Sequence, residues 1–93
     1  MIRVLIVDDH EIVRRGLREI LSEEEDIEFA GEAENGECAI ARLREQPGYY
    51  DVVLLDVAMD GKDGIDILRQ IRKEFPSQIV LMLSLYVEGH YAV

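Results

Sequence analysis

Cysteine is almost absent from this 93-residue chain, which carries Cys38 alone. One thiol cannot close an intramolecular disulfide and offers no paired-ligand spacing for a metal, so the chain reads as a protein of a reducing, cytoplasmic setting. Cations are scarce: ten Lys and Arg stand against twenty Asp and Glu, a formal net charge of −10. Nucleic-acid binding relies on clustered Lys and Arg, so this balance argues against direct DNA contact by this chain. Long apolar runs are missing as well, the longest spanning four to five residues, far short of a membrane-crossing helix. The opening stretch, Met1 to Val7, has no long apolar region and no small-residue cleavage site, and it runs straight into Asp8-Asp9. It reads as a strand, not an export signal. Repeats, low-complexity tracts and linkers are also lacking.

What is present is an apolar content of 48%, too high for a disordered acidic tail. The length allows one core and no second one, so residues 1–93 are expected to form a single domain. Val4 to Val7, Val52 to Leu55 and Ile79 to Leu83 are continuously apolar, as expected of strands covered on both faces. A less apolar fourth strand lies near Ile27 to Ala33. Between the strands, Ile12, Val13, Leu17, Ile20 and Leu21 mark the apolar face of a first helix. A second helix, about Glu37 to Glu45, buries Ala39, Ile40 and Leu43, with Asn35-Gly36 at its start and Pro47-Gly48 stopping it. A third sets Ile65, Leu68, Ile71 and Phe75 in register before Pro76. Alternating strands and helices predict an α/β fold: an open parallel sheet with right-handed crossovers and helices on both faces.

In such sheets ligands bind beyond the carboxyl ends of the strands, where the strand order reverses. Asp8 and Asp9 end the first strand, Asp56 the third and Ser84 the fourth. Carboxylates gathered at one edge repel unless a cation compensates, and hard oxygen ligands suit Mg²⁺. A carboxylate screened by such a cation can also attack phosphorus and form an acyl phosphate. Asp56 is the best candidate for that nucleophile, because the Gly-containing loop after it leaves its side chain open to a donor. Ser84 could then hydrogen-bond a phosphoryl oxygen.

Blander readings stand beside these. An acidic pair before a helix is also what a helix N-terminus favours electrostatically, and Ser84 alone is an ordinary hydroxyl for local backbone groups. His10 reads as a cap or flank of the first helix, because a lone histidine is poor evidence for a ligand. Cys38 reads as a small buried or half-buried apolar residue. Met59 and Met82 read as packing, Glu23 to Asp26 as a solvated helix end, Gly61 and Gly64 as turn residues, and Lys62 as an ordinary solvated lysine.

Val4-Leu5-Ile6-Val7-Asp8-Asp9-His10, Val53-Leu54-Leu55-Asp56-Val57-Ala58-Met59 and Ile79 to Ser84, taken in order, resemble the receiver domain of bacterial two-component response regulators. The resemblance covers the whole chain. Asp8-Asp9-His10 with Glu11 to Leu21, and the Ala33-Glu34-Asn35-Gly36 stretch, look most like the branch whose members carry a C-terminal helix-turn-helix output domain and regulate transcription. The resemblance implies a flavodoxin-like (CheY-like) fold with strand order 2-1-3-4-5. It implies Asp56 as phosphoacceptor, Asp9 and Asp56 as Mg²⁺ ligands, Asp8 acting through a metal-bound water, the Ala58 backbone carbonyl as a further ligand, and Ser84 as the hydroxyl that turns toward the phosphoryl group. The implied partner is a sensor histidine kinase or phosphotransfer protein. The implied activity is that of a phosphoacceptor rather than an enzyme, catalysing at most its own phosphorylation and dephosphorylation.

The chain departs from the family pattern. It stops near the start of the fourth helix, so the fifth strand and last helix are expected to be missing, with the family's fifth-strand Lys and aromatic switch residue. Asp60 stands where the family usually has Pro, and Lys62 where an apolar residue is common. An uncovered fourth-strand edge predicts self-association, as a homodimer or a domain-swapped oligomer. The alternative function is a phosphorylation-independent interaction module. An aspartate-nucleophile phosphatase is a weaker reading, because Ala58 stands where a second general acid would be needed.

Overall fold

The three apolar runs and the less apolar stretch near Ile27 pair as parallel strands in the computed structural model, which describes residues 1–56 and 64–83. In chain order the elements are β1 (Ile2–Val7), α1 (Glu11–Ser22), β2 (Ile27–Ala33), α2 (Gly36–Glu45), β3 (Val52–Asp56), α3 (Gly64–Glu74) and β4 (Ile79–Leu83). The sheet order is β2-β1-β3-β4. Val4 lies opposite Val52 and Phe29, and Val52 opposite Ile79, all in parallel register. A bulge between Val4 and Leu5 shifts the β1–β2 register by one residue. This is the expected open parallel sheet of flavodoxin-like kind; a fifth strand and a last helix are not among the described residues.

The chain leaves β1 toward β2 on one side and later passes from β2 to β3 and β4 on the other. Right-handed crossovers then put α1 on one face and α2 and α3 on the opposite face. On the α2/α3 face, Leu5, Val7, Val53 and Leu55 pack with Ala39, Ile40, Leu43, Ile67 and Ile71 in one buried cluster. Tyr50 joins this cluster, with its ring edge-on to Tyr49. On the other face Phe29 and Glu32 share a side with Val4 and Ile6. The Arg18 guanidinium lies over the Phe29 ring there, and Arg14 and Arg18 reach Glu32.

Several side-chain expectations change. Ile12, placed on the apolar face of the first helix, is 82% exposed, and Ile20 is exposed too. No residue of α1 is fully buried, since α1 covers the β1–β2 side of its face while Arg14 and Arg18 occupy much of the contact with β2. On α3 the innermost residues are Ile67 and Ile71, whereas Ile65 is exposed and Leu68 and Phe75 pack at the margin. Cys38 is exposed, because Ala39, Ile40 and Leu43 take the inward positions of α2. Glu23 to Asp26 are exposed as expected. Among the described residues no helix is long and apolar enough to cross a membrane.

Candidate functional site

The strand order reverses between β1 and β3, where the crossovers leave for opposite faces and open a crevice at the carboxyl ends of both strands. β1 delivers Asp8 and Asp9 to this point, and β3 delivers Asp56 as its last residue. The β1–β2 ladder extends one residue past the strand, because the Asp8 N–H donates to the Ala33 carbonyl at 3.1 Å. Asp8 is 2% exposed and Asp56 6% exposed, the two buried charged residues among those described. Charged side chains are rarely buried unless paired or matched by a cation, so the placement demands a compensating positive group.

His10 is the first such group. Its Nδ1 lies 3.0 Å from Asp8 Oδ1 and 2.8 Å from Asp9 Oδ1, and its backbone N–H donates to Asp8 Oδ1 at 2.7 Å. The hydrogen bond that the ring makes to the Asp8 carboxylate raises the imidazole pKa above its ordinary 6.5, and the Asp9 charge adds to the effect. His10 does occupy the N-cap position of α1, but its side chain makes no capping bond and turns to the carboxylates instead. The residue dismissed as a helix flank therefore belongs to the cluster. The signal that could have found it is its position directly after the paired acids.

Asp8, Asp9, His10 and Asp56 each offer one ligand atom, and these four atoms all lie within 4.8 Å of one another. In octahedral Mg²⁺ coordination at about 2.1 Å, opposite ligands stand about 4.2 Å apart, so small side-chain rotations would bring this set around one ion. Three carboxylates are the hard donors Mg²⁺ prefers; the imidazole would also suit a softer divalent metal. The residues present fit a divalent cation. Ala58, Ser84, Met59, Asp60, Gly61 and Lys62 lie outside the described residues, so the ligand and hydroxyl roles expected of Ala58 and Ser84 fall there too.

On the β2 side of β1 lies an ionic network. Glu32 Oε1 accepts from Arg14 Nε at 2.7 Å, and Oε2 accepts from Arg18 Nη1 at 2.6 Å. Arg14 Nη1 also donates to the Asp8 carbonyl at 2.6 Å. Helical spacing sets Arg14 and Arg18 off the apolar stripe of Ile12, Val13, Leu17, Ile20 and Leu21, and no spacing signal links them to Glu32 across the chain.

Fold and site together define a doubly wound α/β protein with an acidic cluster at its switch point. The chain belongs to the response regulator receiver domain family, whose pattern it matches over residues 4–93. Response regulator protein VraR of Staphylococcus aureus is 45% identical over 87 residues, which are 94% of this chain and 41% of VraR. The chain thus spans well under half the length of that relative. Response regulator TrrA of Thermotoga maritima, solved in complex with Mg²⁺ and beryllofluoride, is 38% identical with a TM-score of 0.80 over 98% of this chain and 74% of that one. The structure of the histidine kinase ThkA in complex with TrrA matches at 37% identity and a TM-score of 0.79, covering 96% and 73% of the two chains.

Proposed function

We propose that this chain is the phosphoacceptor of a two-component pathway, receiving a phosphoryl group on Asp56 from a phosphohistidine in an Mg²⁺-dependent transfer. The observation that carries the reading is the meeting of Asp8, Asp9 and Asp56, from two strands, within reach of one cation. Family membership and the kinase and Mg²⁺–beryllofluoride complexes of TrrA support it. In the proposed step an Asp56 carboxylate oxygen attacks phosphorus, the P–N bond to the donor imidazole breaks, and the nitrogen leaves with that bond's electron pair and takes up a proton. The bound Mg²⁺ would supply screening of the negative charge between carboxylate and phosphoryl oxygens. Asp9 and Asp56 would hold the cation directly, Asp8 through a water, with Ala58 lending its backbone carbonyl and Ser84 its hydroxyl to the phosphoryl group.

The chain acts here as substrate and participant, not as an enzyme with turnover of its own. The proposed partner is a sensor histidine kinase or phosphotransfer protein, the proposed compartment the cytoplasm, and the proposed output of the longer protein transcriptional control. We further propose that copies of the chain pair through the open side of β4. Ile79 and Leu81 are 58% and 54% exposed there, and β4 has no outer neighbour among the described residues.

Incubation with acetyl phosphate and Mg²⁺, followed by intact-mass measurement, tests the reading. One phosphoryl group per chain is expected, absent in Asp56→Asn and absent when the metal is chelated. Phosphorylation that persists in Asp56→Asn would overturn it, as would a parent chain that neither takes up phosphate nor responds to Mg²⁺ and beryllofluoride.

A further inference from the structure

We infer that Arg14 is a positioning residue for the carboxylate pocket: oriented by Glu32, it holds the Asp8 carbonyl and so fixes the turn that sets Asp8 and Asp9 side by side. The inference rests on the reading of those acids as metal ligands. Arg14 is the fourth residue of α1, near a helix end whose dipole disfavours a cation, so its place there needs a compensating contact. It has two. Side chains on a helix lean toward its N-terminus, which carries this guanidinium back over the first turn to the end of β1. There Nη1 donates to the Asp8 carbonyl at 2.6 Å while Nε donates to Glu32 Oε1 at 2.7 Å.

The side chain of Arg14 is only 12% exposed, and its planar fork satisfies both acceptors at once, which an ammonium cannot do in the same geometry. Glu32 is held in turn by Arg18 through its other oxygen, so the tether is braced from two sides. Asp8 is thereby fixed at three points. Its N–H donates to Ala33, its carbonyl accepts from Arg14, and its carboxylate accepts from the His10 N–H. Three acids crowded at the ends of β1 and β3 repel one another, and a turn free to open after β1 would relieve that repulsion by separating them. Arg14 opposes this without entering the pocket, as outer-shell groups around metal ligands commonly do.

Arg18 supplies the control, because it grips the same Glu32 but makes no contact with Asp8 among those seen. Two measurements on the 93-residue chain test the inference: Mg²⁺ affinity by calorimetry, and hydrogen exchange of the His10 amide by NMR in metal-free buffer. In Arg14→Ala, Mg²⁺ binding is expected to weaken about tenfold, and the His10 amide to exchange about tenfold faster as its turn opens locally. In Arg18→Ala both are expected to stay within about threefold of the parent, because the Arg14 contacts persist. Equal effects from the two variants, or none from Arg14→Ala, would overturn the inference. If Arg14→Ala does not fold, Arg14→Lys replaces it, with the same ordering expected at about threefold, since charge and stem survive but the fork is lost. A parent that binds no Mg²⁺ overturns the metal reading alone, and His10 exchange still decides whether Arg14 holds the turn.

Discussion

Gly36 is tightly constrained by packing. It opens α2, and a Cβ built there would overlap Cδ1 and Cγ1 of Ile67, one of the two fully buried isoleucines of α3. Ile67 is 1% exposed, so relieving the overlap would mean repacking a buried side chain. Gly36→Ala should therefore cost about 1–3 kcal/mol by overpacking, although alanine is the better helix former. Urea denaturation measures the loss. The double variant Gly36→Ala, Ile67→Val should recover part of it, and strict additivity of the two changes would show that they do not meet. At this scale the acids of the site were legible in the sequence, because paired aspartates after an apolar run stand out. His10, Arg14 and Glu32 were not, since their roles depend on contacts across β1, α1 and β2 that no local spacing encodes. Cys38 was misread because a cysteine beside Ala39 and Ile40 looks apolar by association, yet it lies off the inward stripe of α2.

Elements were more legible than single residues. Strands covered on both faces leave continuous apolar runs, and β1, β3 and β4 lie on the three such runs, although Ile79 and Leu81 leave one side of β4 exposed. The start of α2 was legible for a local reason: Asn35 is its N-cap, and Oδ1 accepts the Cys38 N–H at 2.8 Å. Asn35→Ala should lower stability by about 1 kcal/mol, whereas Asn35→Asp, which keeps the acceptor, should cost much less. Thermal unfolding of the three chains checks this, and an alanine variant as stable as the parent would mean that water replaces the cap without loss. The inward face of α3 was harder to read. Ile65, Ile67, Leu68 and Ile71 can be drawn onto more than one helical stripe, and the choice of Ile67 is made by Gly36 across the α2–α3 contact. Tyr50 was missed for a similar reason: it lies just outside β3, where periodicity is silent, and enters the core beside Gly31.

At the scale of the molecule, alternating strands and helices fix parallel pairing and crossover hand, but not which strand sits beside which; the order came from the family resemblance. That order makes the two faces unequal. The α2/α3 face carries the buried cluster, with Val80 and Met82 partly buried at its β4 margin, whereas on the α1 face the ladder from Val4 and Ile6 through Leu54 ends in Ile79 and Leu81, both exposed on β4. Apolar side chains beside a strand edge favour pairing with another chain, the β4 edge has no neighbour among the described residues, and each large side chain buried contributes about 1.5–3 kcal/mol. In a symmetric pair every such residue counts twice. The 93-residue chain should therefore show a sedimentation mass that rises with concentration, and Leu81→Glu should weaken the association at least about tenfold by placing a carboxylate on each side of the contact. Ile12→Glu, on the exposed side of α1, separates two geometries: an equal loss means the pair covers the helix as well, and no loss confines it to the strand edge. A parent chain that stays monomeric at every concentration would remove the pairing proposal, leaving the acidic pocket, built at the β1–β3 junction away from that edge, untouched.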